Sequence, residues 1–292
     1  MRDTVVLITG AARGIGAAVA RRMVADGARV ALVGLEPALL SALTAELGTS
    51  AAWWLADVTD QHALDSAVAS AHAHFGRIDV VITNAGIANI GTVSVADIDA
   101  MARVVNVNVI GTMRTVKAAL PHLVETKGYV LIVSSAAAFS PMPGMSAYAT
   151  SKAAVEQFAN VLRLEMAPRG VDVGSAHMLW VDTDMVRDVQ HDLSSFRRTL
   201  ATLPYPFNTV TSLDDCADAF MRGCRERRRR IYVPGILGMI SALRQVLGSA
   251  LMQRVMLPKM APMLSDAEAE VRQRGRSFGE HSVGMGEDET RH

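Results

Sequence analysis

Cysteine is scarce in this chain, and the two cysteines present cannot form a bridge. Cys216 and Cys224 lie eight positions apart in one predicted helix, where a rise of about 1.5 Å per residue separates them by roughly 12 Å. A disulfide requires Cα atoms within about 7 Å of each other. The histidines are scattered, with no cysteine or carboxylate partner at the spacing of metal ligands, so we predict no metal site.

Net charge is also missing, because 29 basic residues balance 29 acidic ones. This balance gives no electrostatic reason to expect nucleic-acid binding. The first apolar run, 4–9, is too short for the core of a signal peptide, so we expect a cytoplasmic protein. Arg244, Gln245 and Arg254 interrupt the apolar region 236–264, so a transmembrane helix is not expected there either.

What the chain has is an alternation of short β-branched runs with longer amphipathic stretches, over residues 4–233. This alternation is typical of a Rossmann-like, doubly wound parallel sheet of about seven strands in three αβα layers. We predict one catalytic domain over residues 1–235. The strands are predicted at 4–9, 29–33, 51–56, 79–83, 128–134, 171–177 and 230–233, and the helices at 15–26, 37–47, 60–75, 97–126, 147–167 and 213–226.

Residues 236–264 depart from this alternation and are rich in Leu and Met, with prolines as expected breaks. We predict an apolar helical extension that packs on the core or on another subunit. The alternative is that this extension makes a peripheral contact with a membrane surface. The charged segment 265–292 is predicted to be a disordered tail.

Two turns follow predicted strands at the sheet edge where ligands bind in such folds. The first, Thr9 to Gly16, is glycine-rich and opens a helix, which suits a pyrophosphate. The second is Asn84-Ala85-Gly86, after the fourth strand. Asp57 follows the third strand, where it would read an adenine amino group or instead cap the next helix.

Tyr148 and Lys152 lie four residues apart, so they share one face of a predicted helix. A neighbouring ammonium favours the phenolate and lowers the pKa of a tyrosine, which makes the phenol a better acid or base near neutral pH. Such a pair is a weak signal alone and gains weight only beside a cofactor site.

Taken together, these motifs resemble the short-chain dehydrogenase/reductase family over residues 4–233. Ser135 in Val133-Ser134-Ser135 and Asn108 in Asn106-Val107-Asn108 complete the pattern. The resemblance implies hydride transfer between NAD or NADP and an alcohol/carbonyl pair, in a homodimer or homotetramer. It implies catalytic roles for Asn108, Ser135, Tyr148 and Lys152, with Asn108 keeping a relay water near Lys152. It implies cofactor binding by Gly10, Arg13, Gly14, Ile15, Gly16, Glu36, Asp57, Val58, Asn84, Ala85, Gly86, Tyr148, Lys152, Val181 and Thr183.

Two positions depart from the family pattern. Met178-Leu179 replaces the usual Pro-Gly pair before Val181 and Thr183. Gly34-Leu35-Glu36 carries neither the usual acidic residue nor the usual basic one, although Arg13 could meet a 2′-phosphate and Glu36 a ribose hydroxyl. The absence of an arginine at Leu35 favours NAD slightly.

The segment 184–212 caps the substrate site in the family, and here it is apolar. We therefore expect a lipophilic alcohol or ketone as substrate, although ordinary packing of the lid explains the same residues: Met185, Val186, Leu193, Phe196, Leu200, Leu203, Tyr205 and Phe207. The competing hypotheses are a non-catalytic nucleotide-binding scaffold on the same fold, motivated by Met178-Leu179, and a reductase associated with a membrane surface.

Overall fold

A parallel sheet of seven strands organises the chain. The structure, a computed structural model, describes residues 1–274 except 193, 204 and 248. The strands are β1 Val5–Thr9, β2 Arg29–Gly34, β3 Ala51–Leu55, β4 Val80–Thr83, β5 Tyr129–Val133, β6 Asp172–Met178, β7 Trp180–Val181, β8 Val210–Thr211 and β9 Arg230–Val233. The order is β3-β2-β1-β4-β5-β6-β9, and β7 and β8 form a separate pair. The predicted fold class is confirmed.

Helices cover both faces of the sheet. They are α1 Gly14–Ala25, α2 Pro37–Leu47, α3 Gln61–Phe75, α4 Ile98–Val105, α5 Gly111–Thr126, α6 Ser146–Met166, α7 Asp184–Asp192, α8 Ser194–Thr202, α9 Leu213–Arg225, α10 Leu237–Ala242, α11 Arg244–Leu247 and α12 Ala250–Arg274. Alternate residues of β1 enter different cores: Val6 and Ile8 lie with α1 and α9, whereas Val5 and Leu7 lie with α3, α5 and α6. Burial on both faces explains why the strands are continuously apolar.

The strand order reverses between β1 and β4, and this reversal positions the candidate site. β1 pairs with β2 on one side and with β4 on the other, all in parallel. The connections therefore leave the carboxyl ends of β1 and β4 in opposite directions. Such a switch point leaves a crevice for a ligand at this edge.

The region predicted as one helix, 97–126, contains a local irregularity. α4 passes into a π-helical turn, Asn106–Ile110, before α5 begins. A π-turn inserts one residue into the helical repeat and often occurs at functional sites. Here it includes Asn108, one of the predicted catalytic residues.

The C-terminal segment is more ordered than the sequence suggests. α12 continues through Pro258 and Pro262 to Arg274, so residues 265–274 are helical rather than part of a disordered tail. Glu268 accepts hydrogen bonds from Thr92 and Ser94, and Val271 is buried. These contacts with distant parts of the chain fix the last turns of the helix. Residues 275–292 lie outside the described residues.

Both cysteines are buried and free, as their spacing predicts. The extension contacts the domain through Arg244, which forms an ion pair with the buried Glu156 of α6 at 3.2 Å. Among the described residues, no helix is both long enough and apolar enough to cross a membrane.

Candidate active site

The glycine-rich turn after β1 is packed too tightly for any larger residue. Gly10 has a φ of +62°, and a Cβ atom there would lie 2.8 Å from the Cα atom of Ala85. A Cβ atom on Gly16 would lie 2.3 Å from the carbonyl oxygen of Gly10. Asn84 holds the turn from the other side, because its Nδ2 atom donates to the carbonyls of Thr9 and Gly10 at 3.1 and 3.0 Å. The turn therefore presents backbone N–H groups at the start of α1, where they suit a phosphate.

If the glycine turn holds the nicotinamide cofactor that the resemblance implies, a Gly16→Ala variant is expected to weaken the Kd for NADH by about tenfold or more, because the new methyl group collides with backbone and must displace the turn. Titration of NADH followed by protein fluorescence measures the change. Gly235→Ala is the matched control, since a Cβ atom there meets nothing within 4 Å. Equal NADH affinity in the wild type and in Gly16→Ala would show that the cofactor does not use this turn.

An open cleft of about 420 Å³ runs along the carboxyl edge of the sheet from this turn to Tyr148 and Lys152. Its walls include most of the predicted cofactor residues: Gly10, Arg13, Gly14, Ile15, Glu36, Asp57, Val58, Asn84, Ala85, Gly86, Tyr148, Lys152 and Thr183. Gly16, Asn108, Ser135 and Val181 stand outside this set. Gly16 supports the turn from within α1, and Val181 lies on β7 beside the cleft wall.

An ion pair lies at the end of the cleft near β2. The Nε atom of Arg13 donates to Oε1 of Glu36 at 2.9 Å, and Asp184 lies 4.0 Å from the same guanidinium. Glu36 thus lines this end of the cleft with its carboxylate beside a cation. A 2′-phosphate at this position would meet two carboxylates as well as one guanidinium.

Asp57 does not cap the following helix. Asp60 caps α3, because its side chain accepts from the N–H groups of His62 and Ala63. Asp57 instead accepts from the N–H group of Thr59 at 2.7 Å and lines the cleft. The capping alternative for Asp57 is therefore excluded, and its position remains suited to reading a base.

Tyr148 and Lys152 line the other end of the cleft, and Ser135 lies behind that lining, near enough to the phenol to affect its pKa. The ammonium of Lys152 lies 5.5 Å from the centre of the Tyr148 ring. The Nζ atom of Lys152 donates to the carbonyl of Val133 at 3.1 Å. A hydroxyl, a phenol and an ammonium converging on one crevice can bind and protonate a carbonyl oxygen.

The pKa shifts in this cluster differ from the expectation that the ammonium of Lys152 lowers the pKa of Tyr148. Burial raises the pKa of Tyr148, and the hydrogen bond with Ser135 acts in the opposite direction. Burial also lowers the pKa of Lys152 to about 8. Desolvation outweighs the attraction between the two groups here because the ammonium is directed at the Val133 carbonyl and lies over the ring.

The match to known proteins agrees with this geometry. A family model described as short chain dehydrogenase matches residues 4–194. The chain belongs to the short-chain dehydrogenase family.

Named relatives and solved structures of short-chain dehydrogenases extend the match. 2-(S)-hydroxypropyl-CoM dehydrogenase 3 of Xanthobacter autotrophicus is 35% identical over 60% of this chain and 70% of its own length. Trans-4-hydroxycyclohexanecarboxylate dehydrogenase of Sinomonas cyclohexanicum is 33% identical over 63% and 74%. The crystal structure of a 3-ketoacyl-(acyl-carrier-protein) reductase from Brucella melitensis complexed with NADH aligns with a TM-score of 0.71 and 26% identity, covering 80% of this chain and 97% of that one.

In this short-chain dehydrogenase, Asn108 is a buried amide held by three hydrogen bonds. Its side chain accepts from the N–H group of Ile87 at 2.9 Å and donates to the Ile87 carbonyl at 2.9 Å and to Ser151 at 3.0 Å. Both amide hydrogens are used by protein groups, whereas the oxygen has a second lone pair that can still accept from a water, so the relay role stays a prediction. Asn108 joins the loop after β4 to the catalytic helix α6.

Backbone hydrogen bonds hold Met178-Leu179, which stands where the family usually has a Pro-Gly pair. Met178 ends β6, lines the cleft, and accepts a hydrogen bond from Ser135 Oγ through its carbonyl at 3.3 Å. The N–H group of Leu179 donates to the carbonyl of Val233. The next residues, 180–181, pair with β8, so strand pairing rather than proline shapes this part of the wall.

Sequence reasoning missed a buried histidine behind Ser135. His177 has no solvent exposure, its Nδ1 atom lies 3.4 Å from the Ser135 carbonyl, and its Nε2 atom lies 3.0 Å from Ser175 Oγ. Burial lowers the pKa of His177 to about 4, so the ring is neutral. Since a carbonyl only accepts, Nδ1 donates to Ser135 and Nε2 accepts from Ser175. Only proximity in space, with no local motif, identifies this support.

A cleft residue that lacked a sequence signal is Arg103 of α4. Leu35, Asn106 and Met185, which the sequence motifs contain without a predicted binding role, also line the cleft. Of the predicted lid residues, Leu193 lies outside the described residues.

Proposed function

We propose that this protein is an NAD(P)-dependent oxidoreductase that interconverts an alcohol and a ketone or aldehyde, with Tyr148 as the general acid and base. The observation that carries the proposal is a single cleft whose lining runs from the glycine turn to Tyr148 and Lys152, with Ser135 near enough to the phenol to affect its pKa. A bound nicotinamide supplies or accepts the hydride.

Each residue of the cluster has a distinct task in this proposal. Ser135 donates its hydroxyl to the substrate oxygen and stabilises the negative charge that develops there. Tyr148 gives its phenolic proton to that oxygen in reduction and removes it in oxidation. Lys152, while protonated, favours the phenolate, and its ammonium would hold the ribose hydroxyls of a bound nicotinamide cofactor. Thr183 and Val181 flank the wall where a carboxamide would bind.

The general test is a spectrophotometric screen of alcohols and ketones with both NAD(H) and NADP(H). We expect bulky lipophilic compounds to be turned over best, because Ile87, Met178 and Met185 line the cleft beside the catalytic cluster. Turnover of small polar alcohols alone would reject the lipophilic substrate while leaving the oxidoreductase intact.

We expect NADH to be preferred over NADPH, because Glu36 and Asp184 would repel a 2′-phosphate near Arg13. Changing Glu36→Gln removes one of these charges while keeping its shape. The ratio of kcat/KM for NADPH to that for NADH should then rise by about tenfold, which corresponds to about 1.4 kcal/mol. Glu46→Gln within α2, the helix that Glu36 precedes, is the control, since Glu46 pairs with Arg21 away from the cleft. A hundredfold preference of the wild type for NADPH would refute the assignment.

A membrane contact is the second candidate property. The extension exposes large apolar side chains along α10 to α12, among them Met239 at 66%, Leu243 at 57% and Val246 at 55%. Cosedimentation of the full chain with phospholipid vesicles tests whether these side chains enter a lipid surface. Binding that disappears when the three residues are changed to serine would support the contact, and equal binding by this variant and the wild type would reject it.

A further inference from the structure

Two histidines and a glutamate that are distant in sequence meet at the ends of α3 and α5. One ligand atom from each of His72, His122 and Glu125 lies within 4.8 Å of the other two. The two imidazole rings stack with centroids 4.1 Å apart, and His72 Nε2 lies 3.9 Å from Glu125 Oε2. The spacing of histidines along the sequence predicted no such cluster, because His72 comes from a different helix.

The surroundings of this cluster favour a cation. α3 ends at Phe75 and α5 ends at Thr126, so two helix C-termini with their partial negative charge lie beside it. Glu125, in the last turn of α5, adds a full negative charge where the helix dipole already disfavours one. A cation bound here would offset both effects.

His122 also carries an unmet bonding requirement. Its Nδ1 atom is buried and has no hydrogen-bond partner within the part of the chain that the structure describes. A buried ring nitrogen without a donor or acceptor costs free energy unless it finds a partner.

We propose that His72, His122 and Glu125 bind one divalent transition-metal ion, with Zn²⁺ as the favoured ion and solvent completing the coordination shell. Two imidazoles and one carboxylate are a ligand set that Zn²⁺ accepts, with one position open to water. Ligand atoms around a tetrahedral Zn²⁺ lie about 3.3 Å apart, so atoms that now lie within 4.8 Å of one another need to approach by up to about 1.5 Å, and one of the two stacked imidazoles has to turn its edge toward the ion. His72 and Glu125 are 33% and 66% exposed and can rotate to do so.

This metal site is separate from the reaction. None of the three ligands lines the cleft that holds Tyr148 and Lys152. The ion would join α3 to α5. The first helix follows β3 and Asp57, and the second follows the π-turn that contains Asn108. The expected role is a clamp between two helices that pack against each other on the same face of the sheet.

The experiment is calorimetric titration of ZnCl₂ into the full-length, tag-free protein. We expect one Zn²⁺ per chain, and we expect His72→Gln, His122→Gln and Glu125→Gln each to weaken Kd by about tenfold or more. His62→Gln is the matched control, because His62 is exposed in the first turn of α3. With Co²⁺ as the probe, the wild type should show visible absorption bands that the three variants lose. Zn²⁺ should also raise the Tm of the wild type and of His62→Gln, but not that of the three variants.

Two results would overturn the proposal. One is the absence of stoichiometric Zn²⁺ binding when the protein is at micromolar concentration and Zn²⁺ is in about 100-fold excess. The other is equal Zn²⁺ affinity in the wild type and in all three ligand variants, which would place the ion elsewhere. Circular dichroism of each variant without metal confirms that a loss of binding does not come from unfolding.

Discussion

A Tyr148→Phe variant is expected to lose about 10²- to 10⁴-fold in kcat/KM, because it removes the single group that exchanges the proton with the substrate oxygen. The ring remains, so packing beside Lys152 and the wall of the cleft is kept. The affinity for NADH should therefore change by less than about threefold. Steady-state kinetics on the best substrate of the screen, together with NADH titration, measures both quantities.

The same variant separates the oxidoreductase from a nucleotide-binding scaffold. A scaffold predicts that NADH still binds and that the low turnover of the wild type is the same in Tyr148→Phe. Tyr205→Phe is the control for loss of a phenolic hydroxyl, since Tyr205 is 66% exposed and lies outside the cleft lining. Ser135→Ala should also reduce kcat, by about 10²-fold, because it removes a donor to the developing oxyanion.

The pH dependence of the wild type follows from the direction of the Tyr148 shift. Burial raises the pKa of Tyr148, so the phenol keeps its proton well above neutral pH. Reduction, which needs that proton, should stay level through neutral pH and fall only at alkaline pH. Oxidation, which needs the phenolate, should rise with pH. A reduction rate that instead increases above pH 8 would contradict Tyr148 as the acid.

The sheet could be predicted from sequence because its strands are buried on both faces. Such strands read as continuous apolar, β-branched runs, and Tyr129–Val133 is buried at every position. The glycine turn and the Tyr148 and Lys152 pair were equally visible, since each depends on residues close together in sequence. Local spacing is sufficient for features of this kind.

The remaining features depend on contacts between distant segments. The support of Ser135 by His177 spans 42 residues, and the contact of Glu268 with Thr92 spans 176. The pair of Arg13 and Glu36 forms only because β2 lies next to β1. The effect of Lys152 on the pKa of Tyr148 was predicted from their spacing along a helix, but burial raises the pKa of Tyr148 and lowers that of Lys152. Desolvation cannot be read from spacing.

An Asn108→Leu variant is expected to be both less stable and less active. Leucine has a similar volume but leaves the N–H and carbonyl groups of Ile87 and the hydroxyl of Ser151 without their partner. Each buried polar group left unpaired costs about 1–3 kcal/mol, so the free energy of unfolding should fall by about 3 kcal/mol or more. Urea denaturation measures this loss.

Activity in Asn108→Leu should fall beyond what unfolding explains, because the side chain of Asn108 lies beside Gly86 and Lys152. A Cβ atom on Gly86 would be 3.2 Å from Asn108 Oδ1 and 3.5 Å from Lys152 Nζ, so these groups border one small space. Thr112→Val is the control, since it removes only the hydrogen bond of the Thr112 hydroxyl to the Asn108 carbonyl and should cost about 1 kcal/mol. If kcat per folded molecule were equal in both variants and the wild type, Asn108 would stabilise the fold without positioning Lys152.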